Sequence, residues 1–171
     1  MNGQRLIVMR HAKSSWKQPL ADHERPLKLR GIREAQRAAI ALKELGWIPS
    51  TVISSDAVRT RQTWANMESF FEESIAVHFR HELYLAGMAA LTEALDDIRP
   101  QTTPTLVLGH NPGWSAVVSH LSGQATELKT AQAALLVGPG LPWGPALQAA
   151  GSWRLEQVIW PRALLESRTR D

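Results

Sequence analysis

The sequence predicts one three-layer α/β/α sandwich with a mostly parallel central sheet, spanning residues 1–171 as a single domain. Short apolar runs alternate along the chain with longer segments of helical periodicity, the order expected of repeated strand-helix units. Polar residues cluster directly behind those runs, at the carboxyl ends of the predicted strands, where open α/β sheets carry their ligands. No internal repeat, low-complexity stretch or linker divides the chain, and its length suits one sizeable core.

Taken in order, Leu6 to Met9 is a continuous apolar run closed by Arg10 and reads as a buried strand. Lys13 to Leu29 carries two prolines and several charges and is predicted to be a long loop. From Gly31 onward, Ile32, Ala35, Ala39, Leu42 and Leu45 recur at helical spacing until Gly46, an amphipathic helix with a glycine stop. Thr51 to Ile53 is a β-branched strand, after which Ser54, Ser55 or Asp56 can cap a helix running through Thr60 to Met67. Ile75 to Phe79 is a third strand, Met88 to Ile98 a third helix stopped by Pro100, and Thr105 to Leu108 a fourth strand. Gly113 to Leu121 reads as a helix and Ala133 to Val137 as a strand. Gly138 to Pro145 holds three Gly and three Pro in eight residues, which predicts a surface loop. Trp153, Leu155, Gln157 and Ile159 alternate as an edge strand ended by Pro161, and the charged last ten residues are expected to fray.

Composition removes several function classes. Hydrophobic residues at 44% and charged residues at 20% describe an ordinary folded protein rather than a disordered or fibrous one. With 19 Lys plus Arg against 16 Asp plus Glu, the net charge of +3 is too small to imply a nucleic-acid partner. The absence of cysteine excludes disulfides, thiolate catalysis and sulfur-rich metal sites, and suits a reducing cytoplasm. Leu6 to Met9 is too short for a secretory apolar region, and no stretch approaches the roughly 18 apolar residues of a membrane span, so neither export nor a membrane partner is expected. A monomer is the default. Seven Trp against one Tyr and three Phe read as core fillers and protected loop residues.

Four strand ends deliver polar groups: Arg10 and His11, Ser54 to Arg59, His81 and Glu82, and Gly109 and His110. If they converge, the inventory is two guanidiniums, two imidazoles and a carboxylate, with no cluster of acids to hold Mg²⁺. Two Arg forks match the oxygens of a phosphoryl group, and an imidazole can serve as nucleophile. The inventory therefore predicts phosphoryl hydrolysis through a covalent intermediate, with no cofactor and no metal. His78 and His81 are three apart but lack a third ligand at convincing spacing, so no zinc site is predicted. Gly109 and Gly113 lack the Lys and Ser or Thr of a P-loop.

These residues resemble the histidine phosphatase superfamily, also called phosphoglycerate mutase-like. Arg10-His11 after the first strand is similar to its Arg-His-Gly signature; Ser55-Asp56-Ala57-Val58-Arg59-Thr60-Arg61-Gln62-Thr63 resembles its second signature; Gly109-His110-Asn111-Pro112 resembles the segment with its second catalytic His. The short chain, Arg10-His11-Ala12-Lys13-Ser14-Ser15-Trp16 and Arg25-Pro26-Leu27 followed by Arg30-Gly31 resemble the SixA-like branch of phosphohistidine phosphatases. The resemblance implies a phosphoglycerate mutase-like fold, with His11 attacking phosphorus while Arg10, Arg59 and His110 hold its oxygens. It places Glu82 near the family's acidic residue, either as the general acid or as an anchor for a pocket arginine. A phosphoramidate substrate lessens the need for an acid, since its leaving imidazole can already carry the proton. Two departures stand out: Ala12 replaces the usual Gly, and Asp56 replaces the usual Pro and adds negative charge beside a phosphate site. Lys13, Ser14 and Ser15 are candidate substrate-rim contacts, and Asp22, His23 and Arg25 are assigned to loop packing.

The resemblance also implies a partner: a protein carrying phosphohistidine, such as a phosphotransfer or phosphocarrier domain. Two other readings compete. One is a broad or small-molecule phosphomonoesterase on the same fold, depending more strongly on Glu82. The other is a phosphoprotein-binding module that keeps the pocket without turnover.

Overall fold

The computed structural model describes residues 3–101 and 103–168. Strands β1 (Arg5–Arg10), β2 (Thr51–Ser55), β3 (Ala76–Arg80), β4 (Thr105–Gly109), β5 (Ala133–Val137) and β6 (Arg154–Ile159) form one sheet in the order β3-β2-β4-β1-β5-β6. The pairs β3-β2, β2-β4 and β4-β1 are parallel, while β5 runs antiparallel to both neighbours. The helices are α1 (Leu29–Glu44), α2 (Val58–Ala65), α3 (Met88–Ile98), α4 (Gly113–Ser122), α5 (Trp143–Gln148) and α6 (Pro161–Arg168).

The central strands are apolar throughout because both faces are covered. Ile7, Met9, Val52, Leu106 and Leu108 face one core with Ala35, Ala38 and Leu42 of α1 and with Trp47, Trp64 and Met67. Leu6, Val8, Ile53 and Val107 face the other, with Leu91 and Leu95 of α3 and Trp114, Val118 and Leu121 of α4. That is the predicted sandwich. Trp47, Trp64, Trp114 and Trp153 are buried core fillers, whereas Trp16 is 71% exposed, with the Arg25 guanidinium 3.5 Å over its ring. Among the described residues no helix is long and apolar enough to cross a membrane.

Two predictions near the carboxyl end are corrected. The Gly/Pro-rich segment is not loop throughout: α5 begins inside it, with Pro145 in the first turn, where a missing N–H costs nothing. Pro161 ends β6 and also opens α6, so a segment expected to fray is helical through Arg168, and positions 169–171 lie outside the described residues. The loop from Lys13 to Leu29 contains a 3-10 turn at Asp22–Glu24 and a bridge between Ser14 and Leu27. The second helix ends at Ala65, followed by a 3-10 turn at Glu68–Phe70.

Candidate active site

Because β2, β4 and β1 are adjacent and parallel, their carboxyl ends bring Ser55, His110 and His11 together. Arg10 pairs in register with Gly109, and the His11 N–H continues the ladder by donating to the Gly109 carbonyl at 3.0 Å. The two catalytic-type imidazoles consequently face each other with ring centroids 5.3 Å apart. Gly109 makes this possible, since a Cβ there would lie 2.7 Å from the ring of buried Trp114. Gly31 likewise lets α1 approach the loop after His11, because its Cβ would lie 2.3 Å from the Lys13 carbonyl oxygen.

The surroundings of His11 fix its tautomer and its charge state. Its Nδ1 lies 2.8 Å from the Ala12 carbonyl oxygen, so that nitrogen carries the proton and Nε2 keeps the lone pair. Burial first, then the charges of His110, Arg59 and Arg10, push its pKa down to about 3 against the opposing Ala12 hydrogen bond. The ring is therefore neutral at neutral pH. The Ala12 N–H donates to Thr63 Oγ1, which in turn donates to the Arg59 carbonyl, locking the loop to α2.

Arg59, only 2% exposed, reaches the same point from α2 and donates from Nε to His11 Nε2 at 3.3 Å. Its other nitrogens donate to Asp22, Nη1 to the carbonyl at 2.6 Å and Nη2 to Oδ2 at 3.0 Å. Asp22 also accepts from Arg25 Nε at 3.0 Å and from the Tyr84 hydroxyl. Burial raises its pKa, but the bonds from Tyr84, Arg59 and Arg25 outweigh that and hold the carboxyl at about 2. His110 Nε2 lies 2.8 Å from Ser55 Oγ, while its Nδ1 is buried without a protein partner. Burial, followed by the Arg59 charge, pushes its pKa down to about 3. Arg10 donates from Nη1 to the Leu128 carbonyl at 3.2 Å and leaves a buried Nε unpaired. Unpaired buried polar atoms are costly, and an oxyanion beside His11 would accept from Arg10 and, in its Nδ1–H form, from His110.

Arg10, His11, Arg59 and His110 thus meet as predicted. Glu82 does not join them: it is exposed, has no hydrogen bond to any of the four, and lines a separate surface cavity with Arg80, Glu93 and Asp97. Its place in the His81–Leu83 3-10 turn explains this, since Leu83 takes the buried direction. Among the described residues, Asp22 is the carboxylate hydrogen-bonded to a phosphate-binding candidate, a role sequence reasoning gave to loop packing. Ser14 accepts from Arg25 Nη1 at 2.7 Å and Ser15 Oγ accepts from the Lys17 N–H at 3.1 Å, so both rim candidates hold the loop; Lys13 is half-buried, and its charge acts on Glu34. Tyr84 and the His110 contact of Ser55 were missed; Tyr84 stands edge-on to His110 at 5.4 Å between centroids.

Comparison with known proteins agrees with this geometry. The family model described as histidine phosphatase superfamily (branch 1) matches residues 6–84. An uncharacterised chloroplastic protein of Arabidopsis thaliana is 41% identical, the match covering 92% of this chain and 78% of that one. A protein assigned as the phosphohistidine phosphatase SixA of Nakamurella multipartitia superposes with a TM-score of 0.76 at 27% identity, covering 94% of this chain and 98% of its own. The corresponding Agrobacterium tumefaciens structure gives 0.78 at 24% identity, over 94% of this chain and 100% of its own. With its strand-end imidazole pair, its two guanidiniums and these relatives, the chain belongs to the histidine phosphatase superfamily.

Proposed function

We propose that the protein is a phosphatase that removes phosphoryl groups from phosphohistidine displayed on another protein, through a covalent phosphohistidine at His11. The observation that carries this reading is the state and place of the carboxyls. Asp22 is held ionised near pKa 2 by the residues it supports, and Glu82 faces a different cavity, so neither is placed to protonate a leaving group. An alkoxide leaving from a phosphomonoester needs that proton badly. An imidazole leaving from phosphohistidine can bring its own.

In the first step the His11 Nε2 lone pair attacks phosphorus, a new P–N bond forms, and the substrate P–N bond breaks with release of neutral imidazole. Arg10, Arg59 and His110 donate to the phosphoryl oxygens as charge redistributes. In the second step water attacks the same phosphorus, the bond to His11 breaks, and inorganic phosphate leaves with restoration of the free imidazole. The likeness to the Nakamurella protein supports the same substrate class.

The test is intact mass of the rapidly quenched protein, kept neutral or alkaline, after mixing with a phosphohistidine-bearing phosphocarrier protein. An adduct of about 80 Da that is absent in His11→Ala, together with phosphate release, is the expected result. Faster turnover of sugar or nucleotide monoesters would establish the monoesterase reading instead. Tight phosphoprotein binding with no adduct and no phosphate would establish a binding module.

A further inference from the structure

The sequence tests His81 against its neighbour His78, but the fold gives it different company. His23, from the Asp22–Glu24 turn, places Nε2 2.8 Å from Asp56 Oδ1. His81, from the Leu83 turn, places Nδ1 3.2 Å from Asp56 Oδ1 and 3.1 Å from Oδ2. One nitrogen of each imidazole and a carboxylate oxygen lie within 4.8 Å of one another. No Lys or Arg side chain pairs with that carboxylate among the described residues; Arg61 donates to the Asp56 backbone carbonyl instead.

The hydrogen-bond partners of His23 leave a place for a cation in this cluster. His23 sits between two carboxylates, with Nδ1 3.1 Å from Glu24 Oε1 and Nε2 against Asp56. A neutral imidazole has one N–H. If it donates to Glu24, the bare Nε2 lone pair faces a carboxylate oxygen, and either a proton or a metal cation joins the two, so the metal binds in competition with that proton. Glu24 then plays the part of the carboxylate that orients a metal-binding histidine through its second nitrogen.

We propose that His23, Asp56 and His81 bind one divalent transition-metal ion of the zinc class at the rim of the phosphate pocket. Two imidazole nitrogens and one carboxylate are the borderline donors that such ions select, whereas Mg²⁺ and Ca²⁺ favour oxygen-rich sites. The His81 side chain is 74% exposed, so water can complete the coordination. Each ligand adjoins a residue that supports the active site: Asp22 beside His23 holds Arg59, Ser55 beside Asp56 contacts His110, and Tyr84 closes the turn that carries His81. The bound ion pins three segments and takes no part in phosphoryl transfer. It is a positioning element, and the inference is independent of the substrate.

The test uses tag-free full-length protein stripped with chelator, titrated with Co²⁺ by visible absorption and with Zn²⁺ by calorimetry. One equivalent should bind, with the ligand-field bands of a nitrogen and oxygen site, and the ion should raise the thermal midpoint. His81→Ala and Asp56→Asn should each weaken binding at least about tenfold, and Glu24→Gln about tenfold, in the range seen for lost orienting partners. His78→Ala and His120→Ala should bind like wild type. Because His81 is exposed, its variant is expected to fold, and its thermal midpoint should no longer respond to the ion. Absence of stoichiometric binding, or binding left unchanged by His81→Ala, overturns the proposal.

Discussion

Lowering the pH from 7 to 5 should remove about 4 kcal/mol of folding stability through two residues, His11 and His110, given their buried neutral state. Burial is the first cause in both, and neighbouring positive charge the second, of folded pKa values near 3. An unfolded imidazole titrates near 6.5. The folded value is the lower one, so the unfolded chain takes up the proton first. Stability is full above pH 6.5 and falls as the pH drops toward 3. At pH 5 an unfolded histidine is about 97% protonated and either folded one about 1%, which is about 2 kcal/mol each at 1.36 kcal/mol per pKa unit. His23 acts in the opposite sense, since its hydrogen bonds to Asp56 and Glu24 raise its pKa. Asp22, held near 2, loses its own contribution only below about pH 4. The assay is urea unfolding at both pH values for wild type and for the His11→Asn, His110→Asn double variant, which keeps His23 and Asp22. Wild type should lose about 4 kcal/mol more than the variant, a large share of the 5–15 kcal/mol typical of a domain. Equal losses in the two proteins would show that neither imidazole is buried neutral, and the lone pair assigned to His11 Nε2 would lose its basis.

Three further outcomes follow from the same geometry. Glu82→Gln should leave phosphohistidine turnover within about twofold, as for an exposed residue with no hydrogen bond or ion pair among the described residues; a tenfold loss would restore proton transfer to Glu82. Asp22→Asn should lower kcat/KM by about ten- to a hundredfold by misplacing Arg59, with His11 phosphorylation slowed and not abolished, and wild-type rates would show that Arg59 needs no anchor. Gly109→Ala should cost about 1–3 kcal/mol through overpacking against Trp114, read as a lower urea midpoint with an unchanged slope. A midpoint that does not move would mean that the ring gives way.

What the sequence makes legible here is what periodicity can carry. Strand ends are marked by where apolar runs stop, so Arg10, His11 and His110 stood out as candidates by local pattern together with His81 and Glu82, and the likeness of Ser55 to Thr63 to the superfamily's second signature singled out Arg59. Helices α5 and α6 were hidden for a related reason: proline breaks a helix in its interior but is accepted in its first turn, and composition does not tell the two positions apart. The carboxylates fail differently. Glu82 and Asp22 are each an acid in a short turn near a strand end, and nothing in local spacing separates them. The separation comes from which neighbour claims the buried direction. In one turn Leu83 points inward and Glu82 faces α3; in the other Asp22 itself reaches Arg59, 37 residues away, and gathers Arg25 and Tyr84 around it. An arginine aimed at phosphate needs a counter-charge when the pocket is empty, because a buried unpaired guanidinium is costly. That requirement predicts a carboxylate beside Arg59 on physical grounds, and only the tertiary fold says which residue meets it. Asp56 follows the same logic. Its charge looked out of place beside the expected phosphate site, yet the fold turns it toward two imidazoles at the rim and leaves Arg59 and His110 facing His11.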